Sequence, residues 1–293
     1  MLSEDKLIQM LSIIEMDNIL STFKNIITEQ YMVDINSEMQ MQYNRDGYIK
    51  IPHGVDGDSL RLLARELRHL MVVLNPNKDP IEMRSTYKRA FTQVTNLWQK
   101  SEMVKAFVFR KDLAEIAAKI MGVKSVRLYH DQALFKEAGG GATPWHVDQV
   151  YWPMDTTNTC TFWIPLQNTP SEMGTLSCAS GSHLKTGGRE MVISDESETF
   201  FSQYVKDSGF EISADEFELG DINVHAGWTV HHAGPNLTDV PREVMTIIYM
   251  ADNAHLLKSP SKTQLVDRDA FTPDIQPGAL IKTPLNPILF SKT

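Results

Sequence analysis

The chain has 293 residues, 42% of them hydrophobic and 22% charged, the balance of an ordinary globular protein. Its formal net charge of -9 argues against affinity for nucleic acid through counterion release, so no nucleic-acid partner is expected. Two cysteines, Cys160 and Cys178, are too few for a cysteine-rich zinc module; one disulfide between them is conceivable, and two buried free thiols are the simpler reading.

Met1-Leu-Ser-Glu-Asp-Lys lacks the basic-then-apolar order of an export leader, and no apolar run reaches about 18 residues, so neither export nor a membrane partner is expected and the cytoplasm is the default compartment. Residues 3 to about 30 read as a helix. Leu7, Ile8, Leu11, Ile14, Leu20, Phe23 and Ile27 recur at helical spacing behind a Ser3 cap. Such a helix can pack outside the core or serve as a lid or dimer contact, which permits a homodimer without requiring one. Asp46 to Pro52 reads as a turn and a short strand, and Asp58 to about Leu74 as an amphipathic helix bearing Arg61, Arg65 and Arg68. That basic face is a solvated surface or a grip for an anionic substrate. A further helical pair over 96–122 closes on Gly122, a C-cap candidate.

Beyond residue 122 the texture changes. Residues 125–135, 159–166, 174–178, 221–225, 228–232 and 243–250 are short strand-like runs separated by Gly, Pro, Asn and Asp, the pattern of a sandwich or barrel. No Pro/Gly/Ser linker separates this part from the helices. The expectation is one domain, mainly β with flanking helices: a mostly helical part (1–122) packed on a jelly-roll core (123–255), then a C-terminal extension (256–293).

Two segments carry chemistry. In Thr143-Pro-Trp-His146-Val-Asp148-Gln149, an extended strand would place His146 and Asp148 on one face, about 6.6 Å apart along the chain. An imidazole and a carboxylate could then meet at one metal ion, with a distant histidine from Val230-His231-His232-Ala-Gly-Pro-Asn236 as third ligand. Two His and one carboxylate with open positions is the ligand set of non-heme Fe(II) oxygenases. His225 is a rival by composition, but Gly227 interrupts the strand that would bring it to the face of His231, so it reads as structural or supporting. Gly139-Gly140-Gly141 lacks the Lys-Ser/Thr ending of a phosphate loop and reads as a turn before the metal strand.

These segments occur in order with Asn96-Leu-Trp98, Val126 to Gln132, Lys136-Glu137, Gly174-Thr-Leu, Ser180-Gly-Ser-His183, Gly220-Asp221 and Pro241-Arg242. From about residue 45 to 250 the ordered set resembles the phytanoyl-CoA dioxygenase family of Fe(II)- and 2-oxoglutarate-dependent oxygenases. The resemblance implies a double-stranded β-helix (jelly-roll, cupin-like) with His146, Asp148 and His231 as iron ligands. His231 stands five residues before Asn236 and eleven before Arg242, as the family pattern requires. Neighbouring strand residues face opposite sides, so His232 should turn away from the metal.

The resemblance further implies that Arg242 holds the far carboxylate of 2-oxoglutarate, a role suited to a permanently charged planar fork. Lys136 is expected to add a second charge near the co-substrate, and Gln132 to lie in the same pocket. Ala233 stands where many relatives carry a serine that touches the co-substrate, and Thr161 is the expected substitute. Asp148 is retained where related halogenases carry a small residue, which favours hydroxylation or another oxidation. The implied reaction consumes O₂ and 2-oxoglutarate, releases succinate and CO₂, and oxidises a C–H bond of a small molecule. Tyr151, Trp152, Trp163 and Trp228 are the expected substrate contacts. A peptide or protein hydroxylase and a non-catalytic metal- or ligand-binding jelly roll are the alternatives; the first needs an open groove, whereas the N-terminal helices are expected to cover the mouth.

Overall fold

A computed structural model describes residues 17–27, 33–75 and 79–292. Eight helices within these residues are α1 (17–27), α2 (Ser37–Asp46), α3 (Gly57–Leu74), α4 (Thr86–Ala90), α5 (Glu102–Val108), α6 (Lys111–Met121), α7 (Asp195–Ser208) and α8 (Lys262–Phe271). The strands are β1 (Tyr48–Ile51), β2 (Thr92–Thr95), β3 (Ser125–Lys136), β4 (Thr143–His146), β5 (Thr159–Pro165), β6 (Leu176–Ala179), β7 (Ile212–Ser213), β8 (Ile222–Ala226), β9 (His231–Ala233), β10 (Arg242–Ala251) and β11 (Ile288–Ser291). Of the helix expected over 3–30, the stretch 17–27 is helical and buries Phe23, while Leu7, Ile8, Leu11 and Ile14 lie outside the described residues.

The strands form two antiparallel sheets. The large one runs β1-β8-β5-β10-β3-β11 with β2 also on β3; the small one runs β4-β9-β6-β7. Strand β10 is central and buried along its whole length. Its side chains alternate: Met245, Ile247 and Tyr249 join one apolar cluster, while Arg242, Thr246 and Ile248 face an internal cavity. The first cluster also takes Leu60, Leu63 and Leu67 of α3, Phe107 of α5 and Leu113, Ile116 and Ile120 of α6. The helices of the first 122 residues therefore cover the outer face of the large sheet. Contrary to the expectation from sequence, none of these helices among the described residues covers the cavity mouth; α8 stands there instead.

The basic face of α3 is not at the cavity either. Exposed Arg61 pairs with Asp58 at 2.6 Å, and Arg68 ties α3 to buried Glu243 of β10 at 2.7 Å. Residues 122 and 255 are not structural borders. Strands β1 and β2 from the helical part pair with β8 and β3, and β11 from the C-terminal extension completes the other edge of β3. Cys160 and Cys178 are buried free thiols. Among the described residues, no helix is long and apolar enough to cross a membrane.

Candidate metal centre

Pairing of β4 with β9 sets His146 directly opposite His231, so two residues distant in sequence become cross-strand neighbours with ring centroids 4.1 Å apart. Asp148 lies just beyond the end of β4, in a turn held by a hydrogen bond from Gln149 N to Gly227 O at 2.8 Å. A Cβ added at Gly227 would stand 2.4 Å from Gln149 Oε1 and 2.6 Å from Trp152, so only glycine admits this close approach.

The ligand atoms of His146, Asp148 and His231 all lie within 4.8 Å of one another. Asp148 Oδ1 is 3.7 Å from Nε2 of each histidine. His146 Nδ1 lies 2.7 Å from Pro144 O and His231 Nδ1 lies 2.9 Å from Thr229 O. Only an N–H can donate to a carbonyl, so both rings carry their proton on Nδ1 and turn a bare Nε2 toward Asp148. Burial pushes the pKa of both rings down, which keeps them in the neutral form that ligates. Burial alone would raise Asp148, but a proton on any of the surrounding His231, His225 and His146 rings acts the other way and holds it below the usual carboxylate range. Two neutral imidazoles and a carboxylate, each aimed at one point, fit a divalent iron.

The triad opens into a cavity of about 690 Å³. At its base Arg242 is 2% exposed, and Nη1 donates to Gly174 O at 2.6 Å. Its Nε has no partner, although a buried charge left unpaired costs several kcal/mol. Burial lowers its pKa to about 10, which leaves a cation at neutral pH. The base thus presents a desolvated guanidinium with an unmet donor, the chemistry that receives a carboxylate. Trp163 flanks it, with the Arg242 guanidinium 5.6 Å from the ring centroid. Gln132 and Thr246 face each other across β3 and β10 and also line the cavity; Thr246 Oγ1 is buried without a partner.

Two residues expected at the co-substrate are engaged elsewhere. Lys136 does not line the cavity. Its Nζ reaches Gly141 O, Thr143 Oγ1 and Gly234 O, and so fastens the glycine turn and the β9–β10 turn to β3. Burial, with Arg242 adding to it, pushes the lysine pKa down to about 6. Thr161 lines the cavity, but its hydroxyl donates to Asp148 Oδ2 at 2.9 Å. The hydroxyl left without a partner on the cavity wall is that of Thr246, four residues beyond Arg242 on the same face of β10.

At the mouth, Tyr151 and Trp152 line the cavity, with Tyr151 Oη accepting from Ile193 N at 2.7 Å. Trp228 does not. It sits in the β8–β9 turn, where its ring faces away from the barrel and lies under the Arg189 guanidinium at 4.5 Å. His232 turns away from the triad and stacks on Trp145 at 3.9 Å, while still bordering the cavity. The remaining wall comes from α8: Lys262, Thr263, Val266, Asp267, Ala270 and Phe271. Burial raises the Asp267 pKa to about 7, and Tyr129 Oη donates to it at 3.4 Å. Nothing in the sequence of the C-terminal extension had marked this helix as part of the site.

Residues 43–244 match the family model of phytanoyl-CoA dioxygenase. The chain belongs to that family. It is accordingly a 2-oxoglutarate-dependent dioxygenase with iron as its metal. Among curated relatives, it is 22% identical over 232 residues to a probable alpha-ketoglutarate-dependent hypophosphite dioxygenase of Stutzerimonas stutzeri, covering 74% of this chain and 79% of that protein. It is 24% identical over 230 residues to 1-deoxypentalenic acid 11-beta-hydroxylase of Streptomyces exfoliatus, covering 72% and 78%. Its fold is similar to that of the non-heme alpha ketoglutarate dependent carbocyclase SnoK from nogalamycin biosynthesis. The TM-score is 0.72 at 22% identity, over 87% of this chain and 96% of that one. The epimerase SnoN, solved with Fe3+, alpha ketoglutarate and nogalamycin RO, gives 0.70 at 23% identity, over 86% and 97%.

Proposed function

We propose that this dioxygenase oxidises an unactivated C–H bond of a small-molecule substrate, with His146, Asp148 and His231 holding Fe(II) and Arg242 anchoring the far carboxylate of 2-oxoglutarate. The observation that carries the reading is the placement of the triad and the unpaired Arg242 guanidinium in one cavity. When bound, iron with 2-oxoglutarate and O₂ supplies the oxidising equivalent, with release of succinate and CO₂.

The protein's part is binding, orientation and shelter. The backbone carbonyls of Pro144 and Thr229 fix the tautomers of the two histidines, so ligation needs no proton shuffle. Arg242 meets the co-substrate at the end of the cavity where Trp163 and Thr246 stand, and Gln132 and Thr246 offer further polar contacts. Tyr151, Trp152, Ile193 and Phe271 exclude water from the mouth side. A mouth walled by α8 suits a discrete small molecule better than a peptide chain, which needs a groove open at both ends. Similar proteins on this fold include a carbocyclase, an epimerase and a hydroxylase, and C–H oxidation is the outcome proposed for this chain.

The test is an anaerobic titration of the iron-loaded protein with 2-oxoglutarate, followed by succinate release in air during a substrate screen. Wild type should show the weak visible charge-transfer band of chelated 2-oxoglutarate and form succinate. Asp148→Ala should lose both; retained turnover in that variant would discard the ligand assignment.

A further inference from the structure

The three candidate ligands are not held alike. His146 and His231 sit on paired strands of the small sheet, whereas Asp148 hangs from a turn after β4 and has no strand to fix it. Its carboxylate reaches across the barrel to the large sheet. There Thr161 of β5 and His225 of β8 are cross-strand partners, and both point inward while their neighbours Cys160, Phe162, Val224 and Ala226 pack outward.

The two carboxylate oxygens meet different surroundings. Oδ1 faces the Nε2 atoms of His146 and His231 at 3.7 Å each. Oδ2 accepts from Thr161 Oγ1 at 2.9 Å and lies 3.4 Å from His225 Nε2. His225 is 1% exposed, and its Nε2 has no hydrogen-bond partner unless it closes on this oxygen. Its other nitrogen, Nδ1, lies 3.0 Å from Asn223 Oδ1. Turning that amide over by 180° exchanges its oxygen for its NH₂ group; with NH₂ toward Nδ1, the imidazole proton resides on Nε2 and points at Asp148. His225 itself is not among the residues whose ligand atoms converge on one point, so its place is beside the carboxylate and not on the metal.

We propose that Thr161 and His225 form a positioning pair that holds Oδ2 of Asp148 by two donated hydrogen bonds and leaves Oδ1 alone to ligate. The proposal rests on the iron assignment made above. Its physical content is monodentate ligation. A carboxylate free to rotate can bind through both oxygens and occupy a coordination position that 2-oxoglutarate or O₂ needs. Two donors on one oxygen prevent that and raise the affinity of the site, because groups that orient a ligand typically contribute about ten- to a hundredfold to metal binding.

Anaerobic Co(II) titration, read by the d–d spectrum, tests the pair without turnover, followed by the charge-transfer band of the Fe(II) form with 2-oxoglutarate. His225→Phe, which fills the space without donating, should weaken Co(II) binding roughly ten- to a hundredfold and alter the 2-oxoglutarate band. His225→Gln, which restores a donor, should recover most of both. Wild-type affinity and an unchanged band in His225→Phe would overturn the proposal and leave His225 as packing. If His225→Phe does not fold, the near-isosteric Thr161→Val carries the same comparison. A several-fold loss of affinity regained in Thr161→Ser supports the pair, and equal affinities overturn it. A wild-type protein that binds neither Co(II) nor Fe(II) sinks the metal assignment itself and the pair with it; a wild type that binds, with unchanged variants, sinks only the pair.

Discussion

The base and the mouth of the cavity are built on different terms. At the base, His146, His231 and Arg242 stand on strands whose register is fixed by pairing within the two sheets, Asp148 follows in the turn after β4, and all four lie within the family match over residues 43–244. At the mouth, the wall is the face of α8, a helix beyond that match and outside the sheets. The matched part of the chain carries the triad and Arg242, while α8, beyond the match, closes over the cavity together with Tyr151, Trp152 and Ile193. Selectivity for co-substrate and selectivity for substrate should therefore be separable by mutation.

The strongest way to test the separation is at the base. Arg242→Ala should weaken 2-oxoglutarate binding on the order of a hundredfold, since a charge-assisted carboxylate contact is worth about 1.5–3 kcal/mol. Titration of the charge-transfer band measures it. Arg242→Lys keeps the charge without the fork and should fall between.

A smaller effect should come from the contact that joins the two regions. His130 of β3 stacks on Phe271 of α8, centroids 4.0 Å apart and planes at 15°. Burial lowers the His130 pKa to about 4. A histidine with a depressed folded pKa leaves the unfolded chain binding more protons between pH 6.5 and 4. Its contribution, about 3 kcal/mol, is thus fully present above pH 6.5 and lost as pH falls toward 4. His130→Phe, which keeps the stack, should flatten the fall in Tm of the metal-free protein across that range. An equally steep fall would mean that the ring is not the titrating group.

The smallest effect is expected at the mouth. Val266→Trp, at a position 68% exposed on α8, should change 2-oxoglutarate and Fe(II) binding by less than about twofold while altering which compounds stimulate succinate release. A large loss of 2-oxoglutarate affinity would show that base and mouth are coupled.

Much of the base was legible in the sequence because it obeys short-range rules. His146 and Asp148 are two residues apart, His231 and Arg242 stand at fixed distances from Asn236, and alternation alone turns His232 away. What escaped was partnership between elements. Lys136 and Thr161 are the residue types that bind a carboxylate co-substrate, yet two turn carbonyls and the Thr143 hydroxyl of β4 take the lysine and Asp148 takes the threonine, contacts that exist only once the sheets face each other. Trp228 was misplaced because a turn, not a strand, sets its direction. The role of α8 was hidden because only Phe271 in it is buried, so its sequence carries no marked apolar face.

Pairing of β4 with β9 also has a consequence for the order of events during synthesis. Until His231 has been translated and β9 has docked, His146 and Asp148 are a two-ligand fragment with little hold on any ion. Contacts between segments so far apart in the chain form late in folding, after the intervening strands have found their places. Metal capture is therefore postponed until the barrel has closed, and an ion encountered by the nascent chain has no site in which to lodge.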